Sequence, residues 1–214
     1  MKILNLYAGI GGNRKLWGDE HEVTAVENNK EVAKAYQEFY PNDKVIVDDA
    51  HEYLLEHFKE FDFIWSSPPC QSHSQMNKGT RHKIIRYPDM RLYQEILLLK
   101  HFFKGTWVIE NVNPYYKPLI PANKSDRHLF WSNFYISNIR IKRPRFAGRK
   151  QTFGSNWLHA KKEDVEKWLG IYLKENIYLN GNHCEVQVLR NCVHPKLGLH
   201  VFKCAFKNKQ ETLI

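Results

Sequence analysis

The 214-residue sequence has no apolar run approaching 18 residues, so it carries no candidate membrane span. It is poor in cysteine: the four at 70, 184, 192 and 204 are scattered, which excludes the stapled framework of a small secreted domain. It lacks the layout of a secretion signal, because Met1-Lys2-Ile3-Leu4 runs straight into a strand-like pattern. It has no internal repeats and no low-complexity tracts. With 43% hydrophobic and 14% aromatic residues it is not intrinsically disordered. The expectation these absences leave is an intracellular, cytoplasmic protein. Its length suits one large domain, or one domain with a small lobe, able to bury a core without disulfides.

One acid-free stretch decides where the charge sits. Residues 137–162 hold Arg140, Lys142, Arg143, Arg145, Arg149, Lys150, Lys161 and Lys162 and no Asp or Glu. The remaining 24 cations face 23 acids, so nearly all of the formal +9 lies in that stretch. Phe146, Phe153 and Trp157 are interleaved with it. Basic groups among aromatics can neutralise phosphates and stack on bases. A solvated basic loop with packed aromatics has the same composition.

Strand and helix signals alternate through the first 110 residues. Strands are expected at 2–7, 22–27, 44–47, 61–66 and 106–110. Helices are expected to open at Asn13 and to span 29–40, 50–58 and 87–103. Such alternation predicts an α/β fold, a doubly wound, mostly parallel sheet with ligands at the C-terminal strand ends. A further strand is expected at 129–136, a helix at 163–174, and a last helix from Pro195.

Chemistry concentrates at those strand ends. The first strand runs into Tyr7-Ala8-Gly9-Ile10-Gly11-Gly12, a glycine turn that lets backbone approach a ligand, ahead of helix N–H groups. Glu27, about 20 residues on, suits the hydroxyls of a ribose, and Asp48-Asp49 can receive an adenine amino group. Any α/β fold needs glycine at its first turn, so these features alone do not separate a cofactor site from plain architecture. The fourth strand ends in Ser66-Ser67-Pro68-Pro69-Cys70-Gln71, where two prolines stiffen the approach to a thiol. The fifth ends in Glu110-Asn111-Val112, which neighbouring strands bring to the same cleft. A Glu in a closed site can be held protonated and act as an acid.

These residues together resemble the S-adenosylmethionine-dependent cytosine-C5 methyltransferases. The glycine turn is similar to the family's cofactor turn, with Tyr7 where Phe is usual. Glu27 resembles its ribose-binding acid and Asp49 its adenine-contacting acid. Pro68-Pro69-Cys70-Gln71 and Glu110-Asn111-Val112 resemble its two catalytic motifs. Asn191-Cys192-Val193-His194-Pro195 resembles the C-terminal motif that packs back on the cofactor site, with Arg190 where the family has Gly. Of a Gln-x-Arg-x-Arg motif only Arg127 matches, Asn123 and Ser125 standing at the other two places.

The resemblance implies a Rossmann-like methyltransferase domain at 1–136, a small target-recognition region at 137–180, and a C-terminal segment at 181–214. It implies a cofactor site of Tyr7, Gly9, Gly11, Gly12, Glu27, Asn28, Asp49, Ala50, Pro69, Asn191 and Val193. It makes Cys70 the nucleophile and Glu110 the acid, with Arg127 holding both Glu110 and the base carbonyl. Gln71, Ser72, Ser74, Arg81, Arg86, Arg140, Arg143, Arg145 and Arg149 are the expected nucleic-acid contacts. The implied substrate is double-stranded DNA, with the cytosine flipped out of its stack. The implied protein is a monomer of microbial or phage-encoded, restriction–modification type.

Three other readings stay open. The polymer is RNA; the chain is a nucleic-acid-binding homologue without activity; or the target is an exocyclic amine, for which Ser67-Pro68-Pro69 fits but Cys70 cannot stack as the usual aromatic does. A metal at His183, Cys184, Cys192 and His194 matches no common zinc spacing, and no metal is expected.

Overall fold

The structure is a computed structural model that describes residues 1–75, 77, 86–144, 160–179 and 184–207. Among the described residues seven strands form one sheet: β1 (Lys2–Leu6), β2 (Glu22–Val26), β3 (Lys44–Ile46), β4 (Phe63–Ser66), β5 (Thr106–Val112), β6 (Asn123–Ser125) and β7 (His128–Ser132). Their order is β3-β2-β1-β4-β5-β7-β6. The first five are parallel, and β7 runs antiparallel to β5 and to β6. The helices are α1 (Lys30–Phe39), α2 (Ala50–His57), α3 (Arg91–Phe102), α4 (Lys162–Leu169), α5 (Gln187–Arg190) and α6 (Pro195–Ala205). This is the doubly wound, mostly parallel sheet that the alternation predicts.

Both faces of the sheet are covered, which is why β1 and β2 are buried at four successive positions. Successive residues enter opposite layers. Leu4, Ile64 and Ile109 join Leu92, Ile96 and Leu99 of α3 on one face. Ile3, Phe63 and Val108 join Leu197, Val201 and Phe202 of α6 on the other. Trp17 stacks on Phe202 with ring centroids 5.0 Å apart, so the C-terminal helix completes the second layer. Residues of 160–177 share a third apolar cluster with Ile10 and Val32. Ile136 packs in the second layer with Ile139 and Ile141, and Ile177 packs in the third cluster with Val186, Val188 and Leu189.

Local chemistry sets the helix ends. The Asn29 side chain caps α1 by accepting from Glu31 and Val32 N–H, and Asp49 caps α2 through His51 and Glu52 N–H. Each such cap contributes about 1 kcal/mol. Gly170, at φ +67°, ends α4 at Leu169, five residues before the expected end, since the left-handed conformation cannot continue a helix. Two further expectations shorten: Arg14–Leu16 forms a single 3-10 turn in place of a helix, and α3 begins at Arg91 rather than 87. The short strand β6 carries no apolar alternation and is paired through its hairpin with β7.

Strand order reverses between β1 and β4, with β2 and β3 on one side and β5 on the other. Ligands of open α/β sheets bind at the C-terminal strand ends of such a switch point. The glycine turn after β1 and the Cys70 turn after β4 flank it.

Candidate active site

The three glycines of the first turn do different work. Gly9 has φ +55°, and a Cβ built there meets nothing within 4 Å. Its open side is the face a ligand can approach. Gly11, at φ +76°, lies under two rings, where a Cβ would sit 2.2 Å from Tyr40 and 2.8 Å from Tyr36. The Tyr40 hydroxyl donates to the Gly11 carbonyl at 2.7 Å, pinning the turn. Gly12 faces the C-terminal motif: a Cβ would lie 2.6 Å from the Val193 carbonyl oxygen. Gly9 alone of the three thus presents open space. The helix expected after the turn is replaced by one 3-10 turn, so it provides no helix N-terminus for a ligand.

Glu27 is placed by backbone bonds. Its Oε2 accepts from Gly9 N–H and its Oε1 from Asn29 N–H, both at 3.0 Å. Burial raises its pKa while those N–H groups lower it, and the balance is upward. Asn28 beside it is exposed, and Ala50 is buried at the start of α2. Asp49 is engaged twice: Oδ1 caps α2, and Oδ2 accepts from Arg91 at 3.0 Å. Its pKa is lowered although burial opposes this, because the cap N–H groups and Arg91 favour the carboxylate. Val193 is buried against Ile3 and Trp17, whereas Pro69 and Asn191 are exposed.

Cys70 and Glu110 are brought to one edge by the pairing of β4 with β5, Ser66 lying opposite Ile109. The Asn111 side chain donates to the Pro68 carbonyl at 2.9 Å, tying the two motifs together. The Cys70 carbonyl accepts from His73 and Ser74 N–H, so the chain turns back at once. Ser74 bridges to Pro114, and the buried His73 ring meets the Tyr116 hydroxyl at 2.6 Å. Burial first and the Glu110 charge second push the Cys70 thiol up to about 11. The free protein therefore holds a thiol, not a thiolate, at neutral pH.

Arg127 does not hold Glu110. Its side chain is 54% exposed, and its ion pair is with Asp126 at 3.7 Å. The partner of Glu110 is His128, whose Nδ1 lies 2.5 Å from Oε1. The cause is strand geometry. Glu110 pairs with Phe130 and Val112 with His128, so His128 shares a face with Glu110 while Arg127 lies in the turn before β7. His128 was not expected; the alternation His128-Leu129-Phe130-Trp131 is a signal for its face only once the β5–β7 register is known.

The expected nucleic-acid contacts divide. Gln71 and Arg86 are exposed, and their carbonyls accept from Asn77 and the Tyr115 hydroxyl. The Ser72 hydroxyl accepts from Asp89 N–H at 3.1 Å, and so holds the loop base. Arg140 is exposed, but Arg143 is half-buried over the Trp168 ring at 5.7 Å. Burial and the nearby Arg127 charge bring Arg143 down to about 10. Arg81, Arg145 and Arg149 lie outside the described residues. Of the weighed metal ligands, His183 also lies outside them. His194 spends Nδ1 on the Lys196 N–H at the head of α6, and its Nε2 lies 3.2 Å from the Trp168 carbonyl. Among the described residues no group of three or more His, Cys, Asp or Glu is placed to hold a metal, and no helix is long and apolar enough to cross a membrane.

The model of the C-5 cytosine-specific DNA methylase family matches residues 1–117, which is more than half of the chain and includes the glycine turn, Cys70 and Glu110. The chain belongs to the C-5 cytosine-specific DNA methylase family. This methylase has the fold of two solved structures over nearly its whole length. A mutant of DNMT2 from Spodoptera frugiperda is 14% identical, with a TM-score of 0.58 over 96% of this chain and 99% of that chain. The methyltransferase EhMeth from Entamoeba histolytica is 11% identical, with a TM-score of 0.53 over 96% and 98%. At those identities the likeness speaks for fold alone. No curated protein matches. The methylase's cofactor is S-adenosylmethionine. The residues present fit it: the open face of Gly9 is a cradle that a Cβ would fill, and Glu27 beside it offers a carboxylate anchored by backbone.

Proposed function

We propose that this methylase modifies C5 of cytosine in double-stranded DNA, with Cys70 as nucleophile and Glu110 as proton donor. The observation that carries the reading is the pairing of β4 with β5, which brings a half-buried thiol and a buried carboxyl to one strand edge. A proton passed from Cys70 to Glu110 leaves a thiolate and an acid, the two forms the chemistry needs. The thiolate adds to C6 of the flipped base. Glu110 gives its proton to N3 as charge builds there, and C5 becomes enamine-like. S-adenosylmethionine, when bound, supplies an electrophilic methyl sulfonium. A water then takes the C5 proton, Cys70 leaves as thiolate by β-elimination, and the N3 proton returns to Glu110.

His128, with Nδ1 beside Glu110 Oε1, is assigned as the donor there and leaves the second carboxyl oxygen for N3. In this reading Glu27 and Asn28 hold the ribose, Asp49 and Ala50 lie by the adenine, and Tyr7, Gly9, Pro69, Asn191 and Val193 complete the cradle. Exposed Arg140, with Arg145 and Arg149, supplies backbone-phosphate contacts, which predicts a steep salt dependence of DNA binding.

Bisulfite sequencing of host DNA after expression tests the function. The expected result is protected cytosines in a defined sequence context, absent with Cys70→Ala. Protected cytosines in RNA and none in DNA would overturn the choice of polymer. Methyl transfer that survives in Cys70→Ala would overturn the chemistry.

A further inference from the structure

Glu95 lies in the middle of α3 and is wholly buried, and no step of the reaction uses it. A buried carboxylate is costly unless hydrogen bonds replace the lost water. Here they do. Oε1 accepts from the Tyr7 hydroxyl at 2.7 Å and lies 3.0 Å from His51 Nδ1, while Oε2 accepts from the Ser66 hydroxyl at 2.7 Å.

The three partners come from three different strand ends. Tyr7 opens the glycine turn after β1 at φ +53°, a left-handed backbone that L residues disfavour. His51 stands in the first turn of α2, next to Ala50 and two residues after Asp49. Ser66 is the last residue of β4, four before Cys70. A phenylalanine at position 7 would fill the same space without the bond, and an alanine at 66 would lose only a hydroxyl.

We propose that Glu95 is a positioning residue that couples the cofactor cradle to the catalytic thiol, by fixing the Tyr7 turn, the Asp49–Ala50 segment and the Cys70 turn to one buried carboxylate. It touches no reacting group and acts through these three segments. The cofactor arm rests on the S-adenosylmethionine site, the thiol arm on the role proposed for Cys70, and the two are read separately.

The test uses the full chain with Tyr7→Phe, Ser66→Ala and Glu95→Gln. Calorimetry gives the Kd of S-adenosylhomocysteine. Iodoacetamide gives the alkylation rate of Cys70, with Cys70→Ala as the background for the other three cysteines. Thermal unfolding reports the fold. Tyr7→Phe is expected to weaken S-adenosylhomocysteine about fivefold and leave alkylation unchanged. Ser66→Ala is expected to change alkylation about threefold and leave the Kd unchanged. Glu95→Gln places an amide N–H against donors, and is expected to shift both, the Kd by about tenfold or more. A Glu95→Gln protein with a lower melting temperature but wild-type Kd and alkylation would overturn the proposal, leaving Glu95 structural. If that variant does not fold, an unchanged Kd in Tyr7→Phe overturns the cofactor arm and an unchanged alkylation rate in Ser66→Ala the thiol arm. A wild-type protein that binds S-adenosylhomocysteine but methylates no cytosine sinks the proposed function and leaves the cofactor arm standing.

Discussion

Glu27 and Arg127 lie at the same edge of the sheet, and they are held in opposite ways. Glu27 is anchored by two backbone N–H groups, and its neighbour Gly9 is open because the turn is built around it. Arg127 is mostly solvent-exposed and pairs with the residue beside it. Glu27, on the cofactor side, is held by main chain, whose demands on residue type are strict. Glu110, on the target side, is held by a side chain, which a neighbour can supply instead. His128 has taken the contact with Glu110 that the motif assigns to Arg127.

The largest effects should come where the two halves meet. Cys70→Ala is expected to lower methyl transfer by about 10⁴-fold or more, measured with labelled cofactor. Glu110→Gln is expected to cost about 10²- to 10⁴-fold. It should also lower the Cys70 pKa from about 11, because the Glu110 charge is one of the two causes raising it. Alkylation followed against pH would then begin at lower pH in the variant. An unchanged profile would mean that the carboxylate and the thiol do not share a field.

The next prediction sets the contrast itself at risk. His128→Leu should lower kcat by about tenfold or more with the cofactor KM unchanged, while Arg127→Ala should cost about threefold or less. His128→Asn, which keeps a donor near the Nδ1 position, should recover most of the loss. The reverse order, with Arg127→Ala the worse, would restore the motif's assignment.

Stability separates two glycines in the same turn. Gly12→Ala places a Cβ 2.6 Å from the Val193 carbonyl, and is expected to destabilise by about 1–3 kcal/mol in denaturant titration. Gly9→Ala meets no atom, so it should cost about 1 kcal/mol for its φ of +55°. Its main effect should appear in cofactor binding. Equal stability losses without a binding defect would remove Gly9 from the cradle.

The smallest effect is a pH dependence from His51. Its pKa is raised, first by the hydrogen bond to Glu95 and then, against burial, by the Glu95 charge. A raised folded value means that the pair's stabilisation is complete below the unfolded value of about 6.5 and is lost as pH rises through the folded value. Melting temperature in wild type should therefore fall across that window relative to His51→Gln. Parallel curves would contradict the pairing.

The same distinction decides how much was legible beforehand. The parallel sheet, the glycine turn, Glu27 and the adjacency of Cys70 and Glu110 follow from patterns local in sequence and from strand order. Gly9 needs an open face and Cys70 needs the Pro68-Pro69 turn, so each announces itself. His128 and Glu95 act through contacts 18, 29, 44 and 88 residues apart, which no local pattern encodes. Arg143 reads as one more cation in a basic run, and packing over Trp168 is a property of the folded chain alone. The end of α4 differs from expectation for the opposite reason: the Gly170 stop is local, but apolar Ile171 and Leu173 beyond it extend the helical pattern to 174.

The central claim is that Cys70 attacks C6 of a flipped cytosine and that Glu110 makes the attack possible. DNA containing 5-fluorocytosine tests it most directly, since fluorine at C5 blocks the elimination that releases the enzyme. The account predicts a covalent protein–DNA adduct that forms with S-adenosylmethionine, maps to Cys70 by mass spectrometry, slows sharply in Glu110→Gln and vanishes in Cys70→Ala. A wild-type protein that methylates cytosine DNA but forms no adduct, or an adduct that persists in Cys70→Ala, would contradict it.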